Sequence, residues 1–299
     1  MSKTSVLRMA GSESHGAING TKRILGGLVL AAALSLHHNA TAGTAVPLGS
    51  DVNFAVLAGS SVTSTGNTVI NGNLGEFPGT SVTGIAGIAP GGPGIVNGTI
   101  YAGGTATGVS GTAESDLATA FNDAKGLAST ANLTGQNLGG MTLLPGVYTF
   151  SSTAFLTTGN MNLMLNGNGE ADPQFVFQIG TGLTTASSSE VLLENGALAG
   201  DVFWEVGSSA TLGSGSEFVG NILAYASISA GTTATVDGRL LAENGAVTLA
   251  GADTISMPIA NAGPGGPPSS APDTGSTLLL LGSALVALIA FGRRFSVLA

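Results

Sequence analysis

Between Tyr148 and Glu217 the chain repeats itself. Three runs align at a fixed offset of 27 residues, beginning Tyr148-Thr149-Phe150, Phe175-Val176-Phe177 and Val202-Phe203-Trp204. Nine residues after each start comes a threonine: Thr157, Thr184 and Thr211. A fourth threonine cluster, Thr232 to Thr235, follows at a shorter interval. Gly180 matches Gly207, and Glu190 matches Glu217. A period of this size, built from short β-type runs, is the signature of a stacked coil, because each repeat can bury its apolar side only against its neighbours. The threonines then fall at equivalent places on successive coils. Alternation turns Phe150, Phe177 and Trp204 inward. Leu212 is dissimilar, standing where the sister coils carry Thr158 and Thr185.

A second recurrent signal surrounds the first. Ile70-Asn71-Gly72-Asn73-Leu74 and Val96-Asn97-Gly98-Thr99-Ile100 reappear as Phe218-Val219-Gly220-Asn221-Ile222 and Val236-Asp237-Gly238-Arg239-Leu240. Glycine after Asn or Asp suits left-handed backbone at a corner. Copies on both sides of residues 103–145 predict one stack whose coils come from both halves of the chain. Between them the spacing predicts a single long helix at about 111–125. Leu117, Phe121 and Ala124 form its apolar stripe, flanked by Ala113 and Ala120. Ser110 or Thr112 can cap it, Glu114 and Asp116 suit its N-terminal dipole, and Gly126 can end it.

Composition decides what such a body can do. The 299 residues include 48 glycines, no cysteine and three histidines, His15, His37 and His38, all before residue 43. The body therefore lacks histidine triads, thiol nucleophiles and the usual zinc donors. Of eight basic residues only Lys125 and Arg239 lie in the body, against fifteen of the seventeen acids. That balance excludes nucleic acid, which needs clustered cations. Asn166, Asn168, Glu170 and Asp172 alternate like calcium ligands, but no glutamate follows at the twelfth loop position, so they read as a corner. Glu190, Glu194, Asp201, Glu205 and Glu217 could suggest glycoside chemistry. They recur with the coil period and form no convergent acid–base set, so neither catalysis, metal nor cofactor is expected.

The two ends carry export signals. Lys22-Arg23, the apolar run Ile24–Leu36 and Ala40-Thr41-Ala42 make residues 1–42 a cleavable secretory leader. The body spans 43–260 and a Gly/Pro linker spans 261–271. Pro272-Asp273-Thr274-Gly275 precedes an uncharged stretch at 276–291 and then Arg293-Arg294, a short membrane segment with a cytoplasmic end. The expected location is the cell envelope or the outside of the cell.

The body, about 48–257, resembles the DUF3494 family of ice-binding proteins. The resemblance rests on Asn53–Gly59, Leu133–Gly140, Leu144–Tyr148, Phe175–Gly180, Val219–Ala224 and Asn244–Leu249, which occur in the family's order. It implies a right-handed, discontinuous, triangular β-solenoid with one long helix alongside, and a flat face that binds ice. The candidate face comprises Thr63, Thr65, Thr68, Thr157, Thr184, Thr211, Thr233 and Thr235, with Thr65-Gly66-Asn67-Thr68 matching the family's threonine motif in full. Threonine is also a good strand former, and an adhesin or matrix protein of the same fold is the alternative reading. The tail resembles the PEP-CTERM sorting signals, with Ala271 and Thr274 replacing Val and Ser of one variant. It also resembles a sortase signal, with Ala271 in place of Leu. Either implies a sorting enzyme as a partner, beside the ice surface and the membrane.

Overall fold

The computed structural model describes residues 46–157 and 162–258. The leader, the linker, the motif Pro272–Gly275 and the segment 276–291 lie outside the described residues. Among the described residues no helix is long and apolar enough to cross a membrane.

Among the described residues the fold is mostly β, with parallel pairing throughout its sheets and one α-helix. A long coil lays one strand in each of three sheets. The coil starting at Gly146–Phe150 continues to Ala154–Leu156 and then to Leu163–Asn166. The next repeats this with Phe175–Ile179, Leu183–Thr185 and Val191–Glu194. Later coils shorten, and the eight-residue strands Glu217–Ala224 and Thr235–Ala242 bend across a corner to serve two sides.

N-terminal strands continue the stack beyond the C-terminal ones. Val56 pairs with Leu240, Thr63 with Thr248, and Ile70 with Ile255. The second recurrent signal is thereby in register, since Phe218, Val236, Ile255, Ile70 and Val96 form one row. Its glycines act in two ways. Gly72 and Gly220 have positive φ, as expected. Gly98 and Gly238 do not, a correction to the left-handed reading, and there the need is space. A Cβ on Gly238 would stand 1.9 Å from the carbonyl oxygen of Gly220 on the neighbouring coil. Gly238→Ala is therefore expected to destabilise the protein by about 1–3 kcal/mol or more, read as a lowered denaturation midpoint. No midpoint change would show that the coils separate freely there.

The expected repeat needs one correction. Tyr148 pairs with Phe177, an offset of 29, whereas Phe177 pairs with Trp204 at 27. The first coil carries one extra residue before Leu163–Asn166 and one more before Phe175–Ile179. The core stack is consequently Tyr148, Phe177, Trp204. Ring centroids are 5.6 Å apart for the first pair and 3.9 Å for the second, nearly parallel at 7°. Phe150 is buried too, but lies in register with Ile179 and Val206. Trp204 is fully buried and donates its indole N–H to the Val219 carbonyl at 2.9 Å.

The helix spans Val109–Gly126. Its predicted stripe is buried against one sheet, packed with Phe54, Leu57, Val176, Phe203, Leu223 and Leu241. That sheet is thus covered on both faces, which explains strands buried at every residue. The capping expectation is corrected. Gly108 is the N-cap without a side-chain bond, while the Ser110 hydroxyl donates to the Gly103 carbonyl. At the other end Gln178 Nε2 lies 2.8, 3.2 and 2.9 Å from the carbonyls of Ala124, Lys125 and Leu127.

Glu114 lies on the buried face of the helix and its carboxyl is pushed up to about 9, by burial first and then by Asp51, Glu243 and Glu76. Asp51, with no partner on either oxygen, is pushed up to about 8 by burial and by Asp116, against the pull of Arg239. The folded protein holds protons that the unfolded chain releases. Stability is therefore full below the ordinary carboxylate range and falls as pH rises, levelling above about 9. Thermal midpoints from pH 4 to 10 should decline accordingly. Glu114→Gln, which cannot ionise, should flatten the alkaline part of that decline. A midpoint independent of pH would refute the buried neutral carboxyls.

Candidate functional site

The second sheet has seven strands, ordered Ala154–Leu156, Leu183–Thr185, Ala210–Leu212, Ile228–Ala230, Ala246–Leu249, Ser61–Ser64 and Ser81–Thr83. An apolar residue precedes each central position and points inward. Leu183, Ala210, Ile228, Val247, Val62 and Val82 are buried in one row. The residue after each points out. Thr184, Thr211, Ser229, Thr248, Thr63 and Thr83 are in strict register across six neighbouring strands. At about 4.8 Å per strand the column runs about 24 Å.

Small side chains border the column. On one side lie Ser209, Ser227, Ala246, Ser61 and Ser81, stepped by hydrogen bonds from Ser227 N–H to Ser209 Oγ and from Ala246 N–H to Ser227 Oγ. On the other side, two residues on from the column, come Ala186, Gly213, Gly231, Ala250 and Thr65. Hydroxyls within the column also pair, Thr83 Oγ1 donating to Thr63 Oγ1 at 3.3 Å and Ser229 Oγ to Thr211 Oγ1 at 3.4 Å. Such contacts restrict rotors that β-branching already limits. Among the described residues these outward positions carry no charge.

The other two sides differ. The helix covers one. The other presents Glu190, half-buried, in register with exposed Glu217, and Glu194, Leu192, Asp237 and Ile95 are exposed there. The carboxylates considered for catalysis are dispersed between sides, for Glu205 lies on the helix-covered sheet. Its carboxyl is pushed up to about 7 by burial, which Lys125 opposes. Asn166 to Asp172 form a corner, where Asn168, Gly169 and Asp172 all have positive φ and Asn166 Oδ1 accepts the Asn168 N–H at 2.8 Å. Arg239 is buried, bonded to Asn221 Oδ1 and the Val52 carbonyl at 2.7 and 2.9 Å.

Of the predicted threonines, the fold brings together Thr63, Thr184 and Thr211 in one column, with Thr65 beside it. Three lie elsewhere, and Thr157 stands beside the column in the row of Ala186 and Thr65 rather than in it, correcting the single face assembled from sequence. Thr68 is buried and accepts a hydrogen bond from Ser64 Oγ at 3.0 Å. Thr233 has φ +65° and sits in a turn. Thr235 belongs to the third side, paired with Glu217 and Thr254. Thr157 is exposed but two residues beyond the column, because Phe155 occupies the position in register with Thr184. Thr185 and Leu212 both point inward, so their dissimilarity does not touch the surface. Sequence reasoning missed Thr83, Ser229 and Thr248. The available signal was the triplet apolar–hydroxyl–small or apolar, as in Val62-Thr63-Ser64 and Val247-Thr248-Leu249.

A family model described as Ice-binding-like matches residues 56–255, two-thirds of the chain. The chain belongs to the ice-binding-like family. A relative, the ice-binding protein of Nostoc sp. (strain HG1), is 46% identical over 272 residues, covering 90% of this chain and 94% of that one. Solved ice-binding-family structures share the fold. The crystal structure of an ice-binding protein from an Antarctic biological consortium is 41% identical with a TM-score of 0.66, over 72% of this chain and 92% of the other. That of an ice-binding protein from the Antarctic ascomycete Antarctomyces psychrotrophicus is 40% identical with a TM-score of 0.64, over 73% of this chain and all of its own. These likenesses make the ice-binding-like body a β-solenoid-like fold.

Proposed function

We propose that the protein binds ice by adsorption through the neutral, hydroxyl-bearing sheet, and thereby inhibits ice growth and recrystallisation or holds the cell to ice. The observation that carries this reading is the registered column Thr184, Thr211, Ser229, Thr248, Thr63 and Thr83. Strand separation of about 4.8 Å and residue spacing of roughly 6.6–7 Å along a strand make a rigid two-dimensional array. Threonine methyls hold water in cage-like order, and the hydroxyls anchor it. Small neighbours keep the surface flat. The lack of charge matters, because an ionic group orders water in a pattern that no ice plane matches. Of the three sides, only this one is both open and uncharged at its outward described positions.

Adsorption needs no catalytic group, and the protein is read as a non-enzyme. The reading of the body as a right-handed, triangular, discontinuous solenoid is supported by the three strands per long coil and by N-terminal strands pairing with C-terminal ones. Export rests on the leader at 1–42. Retention at the envelope rests on Pro272, Asp273, Thr274 and Gly275 with the apolar stretch after them, handled by a sorting enzyme. The test is thermal hysteresis and recrystallisation inhibition by the purified protein. Ice crystals that grow as in buffer would overturn the ice reading.

A further inference from the structure

We propose that Phe155 ends the ice-binding array, so that the docking surface spans six strands of a seven-stranded sheet. This inference rests on the reading of that sheet as the ice face. Phe155 occupies the column position in register with Thr184, and the residue is 43% exposed. Its neighbours Ala154 and Leu156 are buried like their counterparts on the other strands, so the backbone follows the sheet's pattern. The strand is otherwise suited to the face, with Thr153 and Thr157 two residues to either side. Only the central side chain departs from it.

The departure is one of shape. A threonine side chain stops at its γ atoms, and a benzyl group extends several bonds further. A rigid ice plane resting on the threonine methyls from Thr184 to Thr83 cannot close over a ring standing above that level. The ring also marks a structural boundary. On its far side Asn137 bridges to Phe155 in place of a regular strand. Asn137 is fixed there, its Nδ2 donating to Thr157 Oγ1 at 2.8 Å and its Oδ1 accepting the Gly139 N–H at 2.9 Å. Beyond the ring the repeating lattice stops, so the aromatic stands at the last position where an ice plane could still find a match.

The test compares Phe155→Thr, Phe155→Ser and Phe155→Trp with wild type by thermal hysteresis at equal molar concentration, with thermal midpoints measured beside them. Phe155→Thr lengthens the column from about 24 to about 29 Å, and the gap should widen by about 1.2-fold or more. Phe155→Ser should also widen it, by less, because it removes the obstruction without adding a methyl. Phe155→Trp should match wild type. A gap that is unchanged or smaller in both Phe155→Thr and Phe155→Ser overturns the proposal, and a smaller one would make the ring itself an ice contact. Thr248→Tyr separates this from the face assignment. Lost activity in Thr248→Tyr with no gain in Phe155→Thr leaves the face standing and removes the role of Phe155. Full activity in Thr248→Tyr removes both.

Discussion

Thr248→Tyr is expected to remove most of the thermal hysteresis while leaving the thermal midpoint nearly unchanged. Thr248 stands near the middle of the column, between Ser229 and Thr63. Its side chain is exposed, and its strand neighbours Val247 and Leu249 carry the packing. A phenol there projects above the threonine methyls and splits the array into two short pieces, neither offering the full set of matched contacts. Surface substitutions of this kind usually alter stability by no more than about 0.5 kcal/mol, so lost activity cannot be ascribed to unfolding. Thr235→Tyr is the matched control. It places the same phenol on the side that carries Glu217 and should leave hysteresis intact. Equal activity in all three proteins would move the ice surface elsewhere.

Trp204→Ala is expected to be the most destabilising single change in the core, costing about 3–5 kcal/mol. The indole lies between Phe177, with centroids 3.9 Å apart, and Phe218, at 5.0 Å. Its removal opens a cavity between neighbouring coils and leaves the Val219 carbonyl without its donor. A β-branched or small residue cannot refill a slot bounded by two rings. For a domain of this size the midpoint should fall by about 10 °C, read by circular dichroism. A fall of only a degree or two would mean that the coils relax into the space, contrary to the close packing of the ring stack.

The helix was legible because its stripe of Leu117, Phe121 and Ala124 needs only local periodicity, and a helix forms from contacts within one turn. The corner signal was legible for a similar reason. A glycine where two coils approach closely leaves no substitute, and so Gly72, Gly98, Gly220 and Gly238 mark equivalent corners. The repeat at Tyr148, Phe175 and Val202 was found, yet it was read two residues out in its first coil. Side chains alternate with a period of two, so a slip of two residues keeps every apolar group facing inward. Tyr148 and Phe150 satisfied the pattern equally well. Only pairing across strands distinguished them, and that slip placed Thr157 where Phe155 belongs.

The amino-acid sequence by itself determined the class of the fold, the inward faces of its strands and the absence of charge from the hydroxyl-rich triplets. Each of these follows from short-range alternation and from composition. The tertiary structure alone decided which hydroxyls form one surface. Thr63 and Thr83 come from the first third of the chain, yet they stand beside Thr248 because the N-terminal strands stack on the C-terminal end of the sheet. Thr235, close to Thr248 in sequence, points from another side because its strand lies across a corner. A flat array is a property of register between strands, and alternation with a period of two leaves registers two residues apart equivalent until strands from distant parts of the chain pair.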